Sequence, residues 1–390
     1  MKKQIHGGDV YRHPQAIDFS SNMNPLGTPE SVIKAGEQAM HEIAQYPDVQ
    51  CEKLKNALSE SEQVLKEWLI CGNGAAEVVF TYIHALMPKK AVMPAPTFAE
   101  YGLALNSIGC EIDRVQLLEK NGFAITSLLE QGTGNAESAE CTDSKENAEH
   151  TEIEENTGYV QSDVKGTMEE FLNHITEATD VVFFCNPNNP TGVLASKDQL
   201  YQLLEHCQKT DTRLFLDECF LDFVENPEKD SMKMFLKEYP NLMILKAFTK
   251  RYAMAGIRLG YGITSDEKLI TRMQACVQPW NLSIPAQAAG VAALSETAYV
   301  EEGRTIIKKE REWLREQMQM LGLKLYDSAA NYIFFKGPDD LTEKCLEHQI
   351  LIRDCSNYEG LKDGYYRVAV KLHEQNVKLV ETLKIIIERG

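Results

Sequence analysis

No apolar run in this 390-residue chain approaches the roughly 20 residues needed to span a bilayer. The N-terminus, MKKQIHGGDVYRHP, is basic at its start but lacks the apolar stretch of a signal peptide. Both absences lead to the expectation of a cytoplasmic protein with no membrane partner. Basic residues are also in deficit, 40 Lys and Arg against 58 Asp and Glu, for a formal net charge of −18. Nucleic acid is excluded as a partner on that ground, because phosphate binding needs a basic surface. The ten cysteines are scattered without a CxxC pair, so free thiols are expected in place of a disulfide framework. The nine histidines form no HxxxH or HExxH spacing, and no metal site is expected. No GxGxxG follows the first predicted strand, which disfavours a dinucleotide-binding domain.

What the chain does contain is the composition of an ordinary globular protein, 43% hydrophobic and 25% charged, with length enough for a large domain and a smaller one. Short apolar runs at Trp68–Cys71, Ala91–Met93, Asp180–Cys185, Arg213–Asp217, Leu242–Lys246 and Leu259–Ile263 read as strands. Stretches with helical spacing lie between them, at Glu77–Leu86, Ala99–Ile108, Lys197–Gln208 and Asp266–Cys276. That alternation predicts an α/β domain with a largely parallel sheet, whose ligands collect at the carboxyl ends of the strands. After Pro285 a long charged helix, Thr297–Leu321, precedes short strands and two further helices, an α+β pattern. The reading is an N-terminal arm over 1–30, a large domain over 31–280 and a small domain over 281–390. The arm, rich in Asn, Pro and Gly, is expected to lie across the larger domain. Residues 131–165 are acidic, rich in Ser, Thr and Asn, and read as a solvated insertion with no chemistry assigned.

Four segments fall where such a fold places a ligand. Cys71-Gly72-Asn73-Gly74-Ala75-Ala76-Glu77 is a glycine turn that opens a helix, offering free amides and a positive dipole end to a phosphate. Cys185-Asn186-Pro187-Asn188-Asn189-Pro190-Thr191-Gly192 holds two X–Pro bonds and three Asn, a constrained turn with polar side chains at a strand end. Phe215-Leu216-Asp217-Glu218 ends an apolar strand on carboxylates. In Phe248-Thr249-Lys250-Arg251-Tyr252-Ala253-Met254-Ala255-Gly256-Ile257-Arg258-Leu259-Gly260-Tyr261 a lysine follows a strand and an arginine enters the next one, eight residues on. Singly, each has an ordinary explanation: a steric turn, a cap, a solvated lysine.

In this order and spacing the four segments resemble the fold-type I pyridoxal-5′-phosphate (PLP) enzymes of the class I and II aminotransferase family, over nearly the whole chain outside 131–165. The resemblance implies a large domain with a mostly parallel, seven-stranded type of sheet sandwiched by helices, plus a smaller α+β C-terminal domain. It implies that Lys250 carries PLP as a Schiff base and then moves the proton. Asp217 would pair with the pyridinium nitrogen, Asn189 with O3′, and Phe98 would stack on the ring. Ala75 and Ala76 amides, Thr249 and Arg258 would hold the cofactor phosphate. Tyr46, in Tyr46-Pro47-Asp48, would reach the partner subunit's cofactor, which implies a homodimer. Arg367 would grip the substrate α-carboxylate bidentately.

Two positions depart from the family pattern. Ala247 stands where many members have a serine, and Phe220 where a tyrosine is frequent, so one phosphate hydroxyl and one O3′ donor are lost. Within the family the resemblance is greatest to the threonine-phosphate decarboxylases of cobalamin biosynthesis, with the histidinol-phosphate aminotransferases next. It is carried by His6-Gly7-Gly8, by Ile17–Gly27, by Asp217–Phe223 and by Leu351–Leu361. The implied substrate is a small phosphorylated amino acid, O-phospho-L-threonine or a close relative, with His6 and Arg353 on its phosphate and Arg367 with Asn22 on its carboxylate. Two arginines fourteen positions apart suit a substrate with two anionic ends. Decarboxylation holds the carboxylate perpendicular to the cofactor ring and returns a proton to Cα, whereas transamination holds Cα–H perpendicular and moves the proton to C4′, and the residues leave that choice open.

Overall fold

The computed structural model describes residues 6–126 and 166–389, and the acidic stretch 131–165 lies outside the described residues. Thirteen strands are described. The first, β1 (Ile17–Asp18), belongs to the N-terminal arm. It is followed by β2 (Leu69–Gly72), β3 (Lys90–Ala95), β4 (Glu111–Gln116), β5 (Val181–Cys185), β6 (Arg213–Asp217), β7 (Leu242–Ala247) and β8 (Gly260–Ile263). The C-terminal part adds β9 (Lys324–Leu325), β10 (Tyr332–Lys336), β11 (Ile350–Leu351), β12 (Arg353–Asp354) and β13 (Tyr365–Ala369).

Seven strands form the main sheet in the order β2-β8-β7-β6-β5-β3-β4. The four pairings from β7 across to β4 are parallel, and only β8 runs against its neighbours. Strands β5 and β7 are buried at every position, and β6 at all but its first. This is why they read as continuous apolar runs: a parallel sheet covered by helices on both faces has no polar side. The sequence reading omitted β4 because EIDRVQ is an edge strand with mostly half-exposed residues, and no apolar run marks it.

The helices follow from local chemistry. Lys197–Lys209 begins with a capping box in which Gln199 N donates to Ser196 Oγ (3.2 Å) and Ser196 N donates to Gln199 Oε1 (2.9 Å). It buries Leu200, Leu203, Leu204 and Cys207, one stripe at i, i+3, i+4 and i+7, against the sheet. Helix Ile284–Leu294 was not foreseen from the sequence. It is an alanine-rich segment that buries Ala289 and Ala293 in the large core beside Leu54 and Leu259.

The smaller unit is an antiparallel sheet of order β12-β13-β10-β9, with helices Thr297–Met320 and His373–Arg389 over it. Leu314, Met318, Ile333, Phe335, Leu379 and Leu383 form its core. The N-terminal arm differs from expectation. Strand β1 pairs parallel with β11 of the small unit, Ile17 opposite Ile350, whereas Asn24 N donates to Lys250 O (3.0 Å) and Thr28 Oγ1 to Ala253 O (2.7 Å). The arm therefore bridges the two units instead of lying on the larger alone. Two residues of strand are too few to leave a pattern in the sequence. Among the described residues no helix is long and apolar enough to cross a membrane.

Candidate active site

Parallel strands end their chains on one edge of the sheet, and the site forms there. Gly72, Ala95, Cys185, Asp217 and Ala247 close β2, β3, β5, β6 and β7. Because β8 runs the other way, its start lies at the same edge, with Gly260 opposite both Gly72 and Ala247. Arg258, two residues before β8, is thereby brought to the ends of its neighbours.

A cavity of about 440 Å³ opens at this edge and is lined by every residue to which the resemblance gave a cofactor or substrate role except Tyr46. At its floor lies Asp217, 4% exposed, with Oδ1 accepting from Cys219 N at 2.8 Å and Oδ2 from the Tyr101 hydroxyl. Burial pushes its carboxyl up, and the Cys219 and Tyr101 donors pull the other way. Lys250 sits in the one-turn helix Phe248–Arg251, its Nζ 5.9 Å from the centroid of the Phe220 ring. Burial, reinforced by the positive charges of Arg367 and Arg258, pushes the Lys250 amine down to about 8. A lysine so placed is a nucleophile near neutral pH.

On one side of the cavity helix Ala75–Leu86 begins at Gly74, and no side chain caps it. Its first-turn amides therefore have no intrahelical or side-chain acceptor at this end. Gly74 adopts φ +81, and a Cβ there would stand 2.4 Å from Arg258 Nη2. Glycine lets the guanidinium lie against the helix start, so an anion at the free amides would meet the cation as well. Thr249 is buried beside this cradle. Ala247 faces the cavity with no hydroxyl to offer. Phe98 caps helix Ala99–Ser107 and also lines the cavity.

The opposite wall is the small unit. Arg353 and Arg367 are direct cross-strand partners on β12 and β13, so both side chains leave the same face of the sheet. Arg367 is 6% exposed. It donates to Asn189 Oδ1 and, through Nη2, to Ser20 O at 3.0 Å, with its guanidinium 5.2 Å from the Tyr332 centroid. With its amide oxygen turned to the guanidinium, Asn22 accepts from Arg367 Nε and Nη1, each at 3.2 Å. Arg353 Nη2 donates to Asn357 Oδ1 at 2.9 Å, and its guanidinium lies 5.2 Å from the Tyr358 ring centroid. His6 lines the cavity with its side chain partly exposed, its Nδ1 3.4 Å from Glu100 Oε1. The glycines after it have a physical role: a Cβ on Gly7 would meet Ser20 O at 2.4 Å, and Gly8 N donates to Ser20 Oγ at 2.7 Å. The start of the arm is folded back onto Ser20 by a close approach that a side chain on Gly7 would block.

Tyr46 is not part of this cavity. It is 77% exposed and stacks on Trp280 with centroids 4.5 Å apart. Three lining or supporting residues were missed in the sequence. Glu100 is largely buried, with Oε2 lacking any partner among the described residues, and burial pushes its carboxyl up while His6, Lys250 and Arg353 pull it down. Tyr101 holds Asp217, and the Tyr358 hydroxyl donates to Asn189 Oδ1 at 3.3 Å. Glu100 and Tyr101 were within reach, since Phe98 and Tyr101 stand at i, i+3 and meet edge-on at 5.4 Å. Tyr358 lies in an irregular loop where no periodicity points inward.

The arrangement fits PLP: a nucleophilic lysine, a buried carboxylate, an aromatic face and an uncapped helix start with a cation. The family model for class I and II aminotransferases matches residues 14–131 and 147–383. A threonine-phosphate decarboxylase from Salmonella typhimurium is 33% identical over 98% of this chain and 96% of its own length. A histidinol-phosphate aminotransferase from Caldicellulosiruptor saccharolyticus is 26% identical over 96% of this chain and 92% of its own. Among solved structures, the histidinol-phosphate aminotransferase from Clostridium acetobutylicum superposes with a TM-score of 0.79 at 27% identity, over 95% of this chain and 99% of that one. The chain belongs to the class I and II aminotransferase family and is a PLP-dependent enzyme.

Proposed function

We propose that the protein decarboxylates O-phospho-L-threonine, or a close phospho-amino acid such as O-phosphoserine, giving the amino-alcohol phosphate used in cobalamin nucleotide-loop assembly. The observation that carries this reading is the cross-strand pair Arg353 and Arg367, two guanidiniums side by side on the cavity wall that faces Lys250. Like charges directly opposite on a sheet repel, and a substrate with two anionic groups neutralises both. The similarity to a threonine-phosphate decarboxylase over nearly the full chain supports it.

In this reading Lys250 Nζ holds the cofactor, Asp217 faces its ring nitrogen, Asn189 its O3′, and Phe98 its ring face. The Ala75 and Ala76 amides, Thr249 and Arg258 hold its phosphate. Bound PLP supplies an electron sink for whichever Cα bond stands perpendicular to its ring. Arg367 and Asn22 then grip the substrate carboxylate, while Arg353 and His6 grip the phosphate, and the two grips together set the rotation about Cα. As the ammonium form, Lys250 Nζ would give a proton to Cα in place of the carboxylate lost as CO₂, and would be left as the neutral amine. His6 and the arm close the mouth against water.

The protein is further read as a cytoplasmic homodimer. The exposed Tyr46–Trp280 stack, with Val49, Ile43 and Met40 also exposed nearby in the chain, supports a second copy covering that surface. Tyr46 would then reach the partner's cofactor.

The test is purified holoenzyme with O-phospho-L-threonine and no oxo acid, following CO₂ and the amine product. Release of CO₂ with (R)-1-amino-2-propanol phosphate is the expected result. No CO₂, but oxo-acid-dependent turnover of histidinol phosphate, would overturn it in favour of an aminotransferase.

A further inference from the structure

Asp217 is buried, and a buried carboxylate is costly unless its oxygens are engaged. Its second anchor is a side chain from a different part of the sheet edge. Tyr101, in the helix Ala99–Ser107, is 0% exposed and donates its hydroxyl to Asp217 Oδ2, while the Cys219 amide holds Oδ1. The phenol has nowhere else to turn. Its ring stacks on Phe183 of β5 at 5.2 Å and 27°, and meets Phe98 at 5.4 Å and 77°. It also meets Phe215 of β6 at 6.4 Å. Burial and the neighbouring Asp217 charge push this phenol well above its ordinary value, so it remains a proton donor at every working pH.

We propose that Tyr101 is a positioning residue for the cofactor: its hydroxyl aims Asp217 into the cavity and keeps it ionised, and thereby fixes how firmly the cofactor's ring nitrogen is held protonated. The inference rests on the reading that Asp217 faces that nitrogen. A carboxylate with one lone pair of Oδ2 engaged by a phenol still has another to present to the cavity. Without the phenol, burial dominates, the carboxyl becomes the better proton acceptor, and the shared proton moves from the ring nitrogen toward Asp217. The same side chain also backs Phe98, so the ring-facing aromatic and the nitrogen partner are set by one residue.

The experiment uses holoenzymes of the wild type, Tyr101→Phe and Asp217→Ala, reconstituted with ring-¹⁵N pyridoxal phosphate. The ¹⁵N chemical shift reports the protonation of the ring nitrogen, and the cofactor dissociation constant is measured alongside. Y101F is expected to move the ¹⁵N signal toward the unprotonated position and to weaken cofactor binding on the order of 3- to 10-fold, the worth of one net hydrogen bond. D217A should take the signal all the way. A D217A change with Y101F indistinguishable from wild type overturns the role of Tyr101 and leaves the site reading intact. An unchanged signal in both variants overturns the placement of Asp217 and the inference with it. Incorporation of 3,5-difluorotyrosine at position 101 keeps the shape and strengthens the donor, so it should move the signal opposite to Y101F even if Phe at 101 loosens the fold.

Discussion

The depressed Lys250 amine gives a measurable pH signature in the apoenzyme. An amine of ordinary pKa 10.5 is about 0.03% neutral at pH 7, whereas one at about 8 is about 9% neutral, a gain of roughly 300-fold in nucleophile. The shift arises first from burial and then from the guanidiniums of Arg367 and Arg258, opposed by Glu100. Since the neutral form reacts, Lys250 reactivity should rise tenfold per pH unit below about 8 and level off above it. Trace acetylation of the apoenzyme with acetic anhydride, with the Lys250 peptide quantified by mass spectrometry against exposed lysines, reads this profile directly. In Arg367→Gln one repelling charge is gone, and the plateau should move to higher pH. Reactivity that climbs without a break past pH 9.5 in the wild type, or a plateau unmoved in R367Q, would refute the electrostatic account.

Arg353→Gln removes a charged grip worth about 1.5–3 kcal/mol, so kcat/KM for O-phospho-L-threonine should fall by roughly 10- to 150-fold in steady-state assays. Turnover of unphosphorylated L-threonine should change little. Glu100, its carboxyl raised by burial and facing His6, Lys250 and Arg353, gains a charge as pH rises through its elevated titration. The wild-type KM for the phosphorylated substrate should therefore climb with pH in that window, and in Glu100→Gln this component should vanish. Gly7→Ala forces a Cβ against Ser20 O and displaces the short segment that carries His6. It should raise KM by the same factor as His6→Ala while the thermal midpoint stays put, read by differential scanning fluorimetry.

Much of this site was legible because its parts are local. NPNNPTG, the CGNGAA turn and the TK…GIR segment each carry their own backbone chemistry, and each sits at a strand end where an apolar run stops. The strands β5, β6 and β7 were visible because burial on both faces leaves a run of apolar residues in each, with the charged side chains at or near the strand ends. What stayed hidden depends on pairing across long separations. The partnership of Tyr101 with Asp217 joins residues 116 apart, and that of Arg367 with Ser20 joins residues 347 apart. Periodicity holds no trace of either. The edge strand β4 and the alanine-rich helix Ile284–Leu294 were hidden for the opposite reason, because their composition resembles that of segments with other fates.

The register that sets Arg353 opposite Arg367 acts as a fixed calliper. Directly opposed residues on antiparallel strands have Cα atoms about 4.5–5.5 Å apart, and a slip of one residue turns a side chain to the other face. The gap between the two guanidiniums, proposed above to grip the substrate's anionic ends, thus cannot be adjusted in small steps by sliding β12 along β13. A change in the length of the accepted substrate has to come from the residues that tilt the guanidiniums, Tyr358 and Tyr332 beneath them and Asn357 beside Arg353. Selection for a longer or shorter phosphorylated substrate should leave its mark at those three positions and spare both arginines.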